Sequence, residues 1–89
     1  MKASIEISLY PLSEDYKERI VSFIKRLKVR KDIHIVSNGM STQLFGDYDV
    51  LMDLLKDELR PELEMNRTMA ILKIGEGLLK QEDIPEEIK

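Results

Sequence analysis

Glu6, Ser8 and Tyr10 stand at alternate positions, with Ser4 completing the series, and between them run Ala3, Ile5, Ile7 and Leu9. A period of two puts each set on its own face of a β-strand, so one face is apolar and packs on a core. The other carries small hydroxyls, one carboxylate and one phenol where a solvated face would carry long charged side chains. That composition suits an interface or the floor of a ligand site. It does not suit catalysis. His34 is the only histidine and has no carboxylate pair at ligand spacing, and the chain has no cysteine. Thiolate metal sites, disulfides and a cysteine nucleophile are thereby removed. Nothing in the sequence calls for a metal or an organic cofactor, and a non-enzymatic protein is expected.

The elements that must position these residues follow from periodicity. Pro11 breaks the first strand, Ser13 is a good N-cap, and Glu14 and Asp15 suit the first turn of a helix. Tyr16, Ile20, Phe23, Ile24 and Leu27 then recur at helical steps, and the cations near Val29 suit the end of that helix. Ile33 and Ile35 alternate with His34 and Val36 in a short second strand, and Asn38-Gly39 or Gly39-Met40 turns the chain into a third strand over 41–45. Gly46-Asp47 closes that strand. Asp47 caps a second helix with the stripe Val50, Leu51, Leu54, Leu55 and Leu59, and Pro61 marks its end or a nearby bend. Residues 67–74 alternate again as a fourth strand. The order strand, helix, strand, strand, helix, strand predicts an α+β, ferredoxin-like βαββαβ fold: a four-stranded antiparallel sheet with two helices on one face. One domain over 1–80 is expected, with a polar tail at 81–89 in which Asp83 caps a short helical turn ahead of Pro85.

The 89 residues suffice for a single small core with little stability to spare, so oligomerisation would help. The longest apolar stretches are only a few residues, which predicts a soluble, cytoplasmic protein that neither is exported nor spans a membrane. A net charge of -3 argues against nucleic-acid binding. An RNA-recognition module on this fold would need aromatics on the central strands within a basic face, and Tyr10 and Phe45 are the only candidates. Charge is nonetheless segregated: Lys17 to Lys31 is basic and Asp47 to Glu64 acidic, which reads as a basic patch for nucleic acid or, the favoured reading, as two oppositely charged helices lying side by side.

With both helices on one side, the other side of the sheet receives Ser4, Glu6, Ser8, Tyr10, His34, Val36, Met69, Ile71 and Lys73, joined by Ser41, Gln43 and Phe45 or by Thr42 and Leu44. This mixture is too apolar for a solvated face. It predicts a homo-oligomer, a dimer or tetramer, assembled through the open sheet face and strand edges.

Four segments carry a resemblance across nearly the whole chain: Glu6 to Leu12, Gly39-Met40-Ser41-Thr42, Gly46-Asp47, and Arg67 with Ile71 to Ile74. Together they resemble the small thiamine-binding protein family, and the chain departs from that pattern at Ile74-Gly75-Glu76-Gly77. The resemblance implies a ferredoxin-like fold, assembly through sheets, and binding of thiamine or its hydroxymethylpyrimidine part as a small-molecule partner. It carries the ligand role onto Glu6, Ser8, Tyr10, Met40, Ser41 and Thr42. Tyr10 and Met40 would flank the ring, Ser8, Ser41 and Thr42 would satisfy its edge, and Glu6 would meet the exocyclic amine or the cation. The competing reading pairs Glu6 with Lys73 or Arg67 and leaves Tyr10 at an oligomer contact. An oligomeric interaction or regulatory module with a different small effector is the alternative function.

Overall fold

The computed structural model describes residues 1–65, 67–80 and 85–88. Strand β1 (Lys2–Pro11) leads through a turn into helix α1 (Tyr16–Lys28), then come strands β2 (His34–Ser37) and β3 (Thr42–Asp47). A second helical rod follows as α2 (Tyr48–Leu54), a π-helical stretch (Leu55–Leu59) and α3 (Arg60–Met65), and β4 (Thr68–Glu76) completes the sheet. The strands lie in the order β2-β3-β1-β4, every neighbouring pair antiparallel. This is the ferredoxin-like arrangement that the element order predicts.

The alternation in β1 does what its period requires. Ala3, Ile5, Ile7 and Leu9 are buried with Phe23 and Leu27 of α1, Leu44 of β3, and Leu51 and Leu54 of α2. Register resolves the third strand: Phe45 lies opposite Ser4 and His34, and Gln43 opposite Glu6 and Val36. Gln43 and Phe45 therefore join the open face, while Thr42 and Leu44, opposite Ile7 and Ile5, face the helices. The segregated charges meet across the two helices. Arg26 bonds Glu58 at 2.9 Å and Glu62 at 3.1 Å, Arg30 reaches Asp57 at 3.4 Å, and Arg19 approaches Glu62 at 3.5 Å. Burial works to lower the pKa of Arg26, but hydrogen bonds and charge from Glu58 and Glu62 outweigh it and hold the guanidinium above its ordinary value.

Several boundaries differ from the sequence expectation. Helix α1 begins at Tyr16 with Asp15 at its N-cap, and Ser13 lies in the preceding turn with its hydroxyl buried and unbonded. Asp47 is at the N-cap of α2 but bonds the N-terminal amine at 3.5 Å and caps nothing. Pro61 does not end the second helix, which continues to Met65. The π-helical stretch directly before it widens the rod where an α-turn would drive the proline ring against the carbonyl four residues back. Strand β3 runs to Asp47 because Gly46 packs closely on Ile33, where an added Cβ would sit 3.1 Å from its methyl.

The tail is more than an appendage. At Gly77, whose φ is +89°, the chain turns back over the open face. Ser4 Oγ donates to the Gly77 carbonyl at 2.7 Å and accepts from the Leu79 amide at 2.8 Å. Leu79 lies over Gly75, and the Lys80 ammonium sits 6.0 Å from the Phe45 ring centroid. Ser4 and Phe45 are buried on this face as a result. A short 3-10 turn covers Glu86–Ile88, and its expected cap Asp83 lies outside the described residues.

The tail's return depends on a left-handed residue. Gly77→Val is expected to cost about 1–2 kcal/mol, a fall in Tm of about 4–8 °C for each kcal/mol in a domain this size. Gly39→Ala, with open space around it and no left-handed backbone, is expected to leave the Tm within a degree or so. Parallel calorimetry of the two variants checks both.

Candidate functional site

Strand β3 pairs with β1 only from Lys2 to Ile7, whereas β4 pairs with it from Ala3 to Pro11. The last residues of β1 consequently have a neighbour on one side only. On the vacant side the β2–β3 turn, residues 38–41, arches over, and the first half of α1 passes beneath. The turn is closed by the Asn38 amide donating to the Ser41 carbonyl at 3.1 Å, so Gly39 and Met40 occupy its centre. The Asn38 side-chain oxygen accepts from the Met40 and Ser41 amides at 2.8 and 3.2 Å and fixes the loop from inside.

Between these three elements lies a cleft of about 430 Å³. Its apolar wall comes from Ile7 and Leu9 of β1 and from Ile20, Phe23 and Ile24 of α1, with Tyr10, Tyr16 and Met40 also lining it. The volume is in the range of small-molecule sites, and the mixture of apolar wall and a few polar groups is their usual chemistry. Five of the six residues carried over from the resemblance line this one cleft: Ser8, Tyr10, Met40, Ser41 and Thr42. They do not all share one face. Thr42 points to the helix side, opposite Ile7, and its hydroxyl shares a 2.9 Å bond with Ser37. Ser8 and Tyr10 belong to the open face, with Ser8 Oγ 3.5 Å from the Met40 carbonyl it donates to.

Glu6 lies one step away, in a neighbouring groove of about 410 Å³ with Ser4, Gln43, Phe45, Lys73 and Leu79. Its carboxylate accepts from Ser41 Oγ at 2.8 Å and pairs with Lys73 Nζ at 3.7 Å. The expected Lys73 partnership is therefore present, but both ends are solvated enough that the pair adds little to stability. His34 lies on β2, exposed, its ring 5.8 Å from that of Phe45. Among the described residues no three His, Asp or Glu side chains converge as metal ligands would.

A larger hollow of about 730 Å³ runs along the outside of α1, yet each of its lining residues, Lys17 to Val29, belongs to that helix or its C-cap. A single convex helix encloses nothing, so the three-element cleft is the better site. The sequence reading missed the contribution of α1 to it. Tyr16, Ile20 and Ile24 sit in the apolar stripe and read as core, and only the early end of β3 leaves them lining a cavity.

The contacts around the turn separate two kinds of residue. Ser41→Ala removes a hydroxyl from the Glu6 carboxylate and is expected to cost about 1 kcal/mol. Met40→Ala, at a side chain exposed to solvent on the rim, is expected to change stability by less than about 0.5 kcal/mol. Urea unfolding midpoints at constant slope check the difference.

The geometry can be set beside known proteins. No curated protein matches this chain. A protein of Streptococcus pneumoniae has the same fold at a TM-score of 0.79, with 30% identity over 99% of this chain and 98% of that one. A Thermotoga maritima protein, provisionally described as a thiamine biosynthesis/salvage protein, is similar at a TM-score of 0.73 and 22% identity, over 99% and 94% of the two chains. A Bacillus cereus domain of unknown function is similar at 0.70 and 17%, over 100% and 86%. At such identities the last two speak for the fold alone. The YKOF-related Family model matches residues 2–71, which contain β1, both helices, the turn and the start of β4, so the chain belongs to that family.

Proposed function

We propose that this protein binds a small planar ligand, thiamine or its hydroxymethylpyrimidine part, without catalysing its conversion, and that it works as a homo-oligomer. The observation that carries this reading is convergence. Residues distant in sequence, Ser8 and Tyr10 on one side and Met40 to Thr42 on the other, line one cleft whose remaining wall is apolar. A flat heterocycle needs such a wall, and Tyr10 and Met40, which both line the cleft, would flank it. Glu6, held by Ser41 beside the cleft, offers a carboxylate to a cationic group that extends out of it. The description of the Thermotoga maritima relative supports thiamine as the first compound to try.

The oligomeric part of the proposal is supported by the open face. Among the described residues, the tail covers the Ser4–Phe45 end. At the other end Tyr10, Met69 and Ile71 are 50%, 63% and 60% exposed and stand side by side across β1 and β4. Apolar neighbours of this kind mark an interaction surface, and a second copy satisfies it by symmetry. The alternative, an interaction or regulatory module for a different effector, predicts the same assembly.

Two measurements test the reading. With a dissociation constant near 10 μM, ligand at about 1 mM adds roughly 2.7 kcal/mol, a rise in Tm on the order of 10 °C. Thiamine and hydroxymethylpyrimidine are expected to give that rise and unrelated cationic heterocycles none; an equal response to all of them would overturn thiamine specificity. In light scattering, Ile71→Lys is expected to reduce the mass to that of one chain with its helical content intact. An unchanged mass would place the interface elsewhere.

A further inference from the structure

The direction of each main-chain group in β1 follows from the bonds at its ends. Leu12 N–H donates to the Arg67 carbonyl at 2.9 Å, and Gly77 N–H to the Lys2 carbonyl at 2.9 Å. Even-numbered residues of β1 therefore turn their N–H and C=O toward β4. Tyr48 N–H donates to the Met1 carbonyl at 2.8 Å, so odd-numbered residues turn theirs toward β3. The last pair on that side is Ile7 with Thr42. The next odd residue is Leu9, and its partner in a longer ladder would be Met40. Met40 is already in the turn, where its carbonyl accepts from Ser8 Oγ. Leu9 N–H and C=O are thus aimed into the cleft from a residue only 7% exposed.

The side chains that the resemblance puts at the ring edge are otherwise engaged. Ser8 Oγ faces Met40, Ser41 Oγ donates to Glu6, and Thr42 Oγ1 is bonded to Ser37. Nor does the vacant edge suit an added β-strand. Pro11, the next residue turned the same way, has no N–H, so Leu9 alone offers both a donor and an acceptor.

We propose that the Leu9 main chain is the recognition edge of the cleft, reading a planar ring that carries an acceptor nitrogen beside an amino donor. The N–H donates to the ring nitrogen and the C=O accepts from the amino group, while Ile20 and Ile24 support the ring. Selection by a strand's own backbone needs no conserved polar side chain. The inference rests on the reading that this cleft is the ligand site.

Amide exchange and titration of the full, nitrogen-15-labelled chain test it. Without ligand, the Leu9 amide is expected to exchange much faster than those of Ile5 and Ile7, which are in the ladder. Equal protection of all three would mean that the Leu9 N–H is already bonded and would overturn the proposal. The probes are then 4-amino-2-methylpyrimidine and 2,4-dimethylpyrimidine, which differ by amino against methyl. The amino compound is expected to bind at least about tenfold more tightly and to shift the Leu9 amide most. Equal affinities, with shifts at Ile20, Ile24 and Gly39 but none at Leu9, would remove Leu9 and keep the cleft. Shifts confined to Met69 and Ile71, or no binding of either probe, would remove the cleft and the Leu9 assignment together.

Discussion

Strand β1 is longer than its partner β3, and the cleft at the end of β1 follows from that mismatch. Had β3 continued to pair past Ile7, its residues would have filled the space between β1 and the turn, and α1 would have packed against a finished sheet. The ladder stops because Asn38 binds the amides of Met40 and Ser41 with its own side chain, so the turn is complete before the strand can extend. One asparagine thus trades two or more strand pairs for a cavity. Pro11 limits the opening from the other end, since it is turned toward the vacant side and has no amide proton to offer a ladder there.

The helices hold the third wall of that cavity in place. Leu27 of α1 and Leu51 and Leu54 of α2 fix their depth against β1. The alignment of α1 along its neighbour is set by charge, with Glu62 receiving Arg26 and approaching Arg19 within a space it shares with almost no water. Removing one member of such a group leaves a buried charge uncompensated, so the pairing enforces a register even where it adds little net stability. Tyr16 and Ile20 lie on the same helix as Arg19 and Arg26. The position of the cleft wall is therefore tied to the ion pairs that α1 makes with Glu62.

Much of this was legible in the sequence because it is periodic. The alternation of Ile5 and Ile7 with Glu6 and Ser8 located β1 and its two faces, and the blocks of opposite charge placed the helices side by side. Features that depend on one contact between distant residues were not legible. Nothing local tells that Ser13 fails to cap α1, that the rod widens before Pro61, or that Gly77 returns the tail to Ser4. The site divides in the same way. Ser8, Tyr10, Met40 and Ser41 were named from their segments, and the fold brings them to one cleft. The helix-side placement of Thr42 required the register, and the part played by Leu9 is invisible in side-chain chemistry because it belongs to the backbone.

Tyr10 belongs to two surfaces at once. It lines the cleft through its place at the end of β1, and it stands opposite Met69 on the open face, next to Ile71. The described part of the tail occupies the other end of that face, so the proposed contact with a second copy would fall on the end where Tyr10 is. A neighbour packed there would restrict the phenol ring and shield the rim of the cleft from water. Burial strengthens any hydrogen bond made inside, while an ordered rim costs an incoming ligand less conformational entropy. Assembly and ligand binding would then favour each other reciprocally, since a copy that orders Tyr10 for the ligand is held more tightly once the ligand has ordered it first.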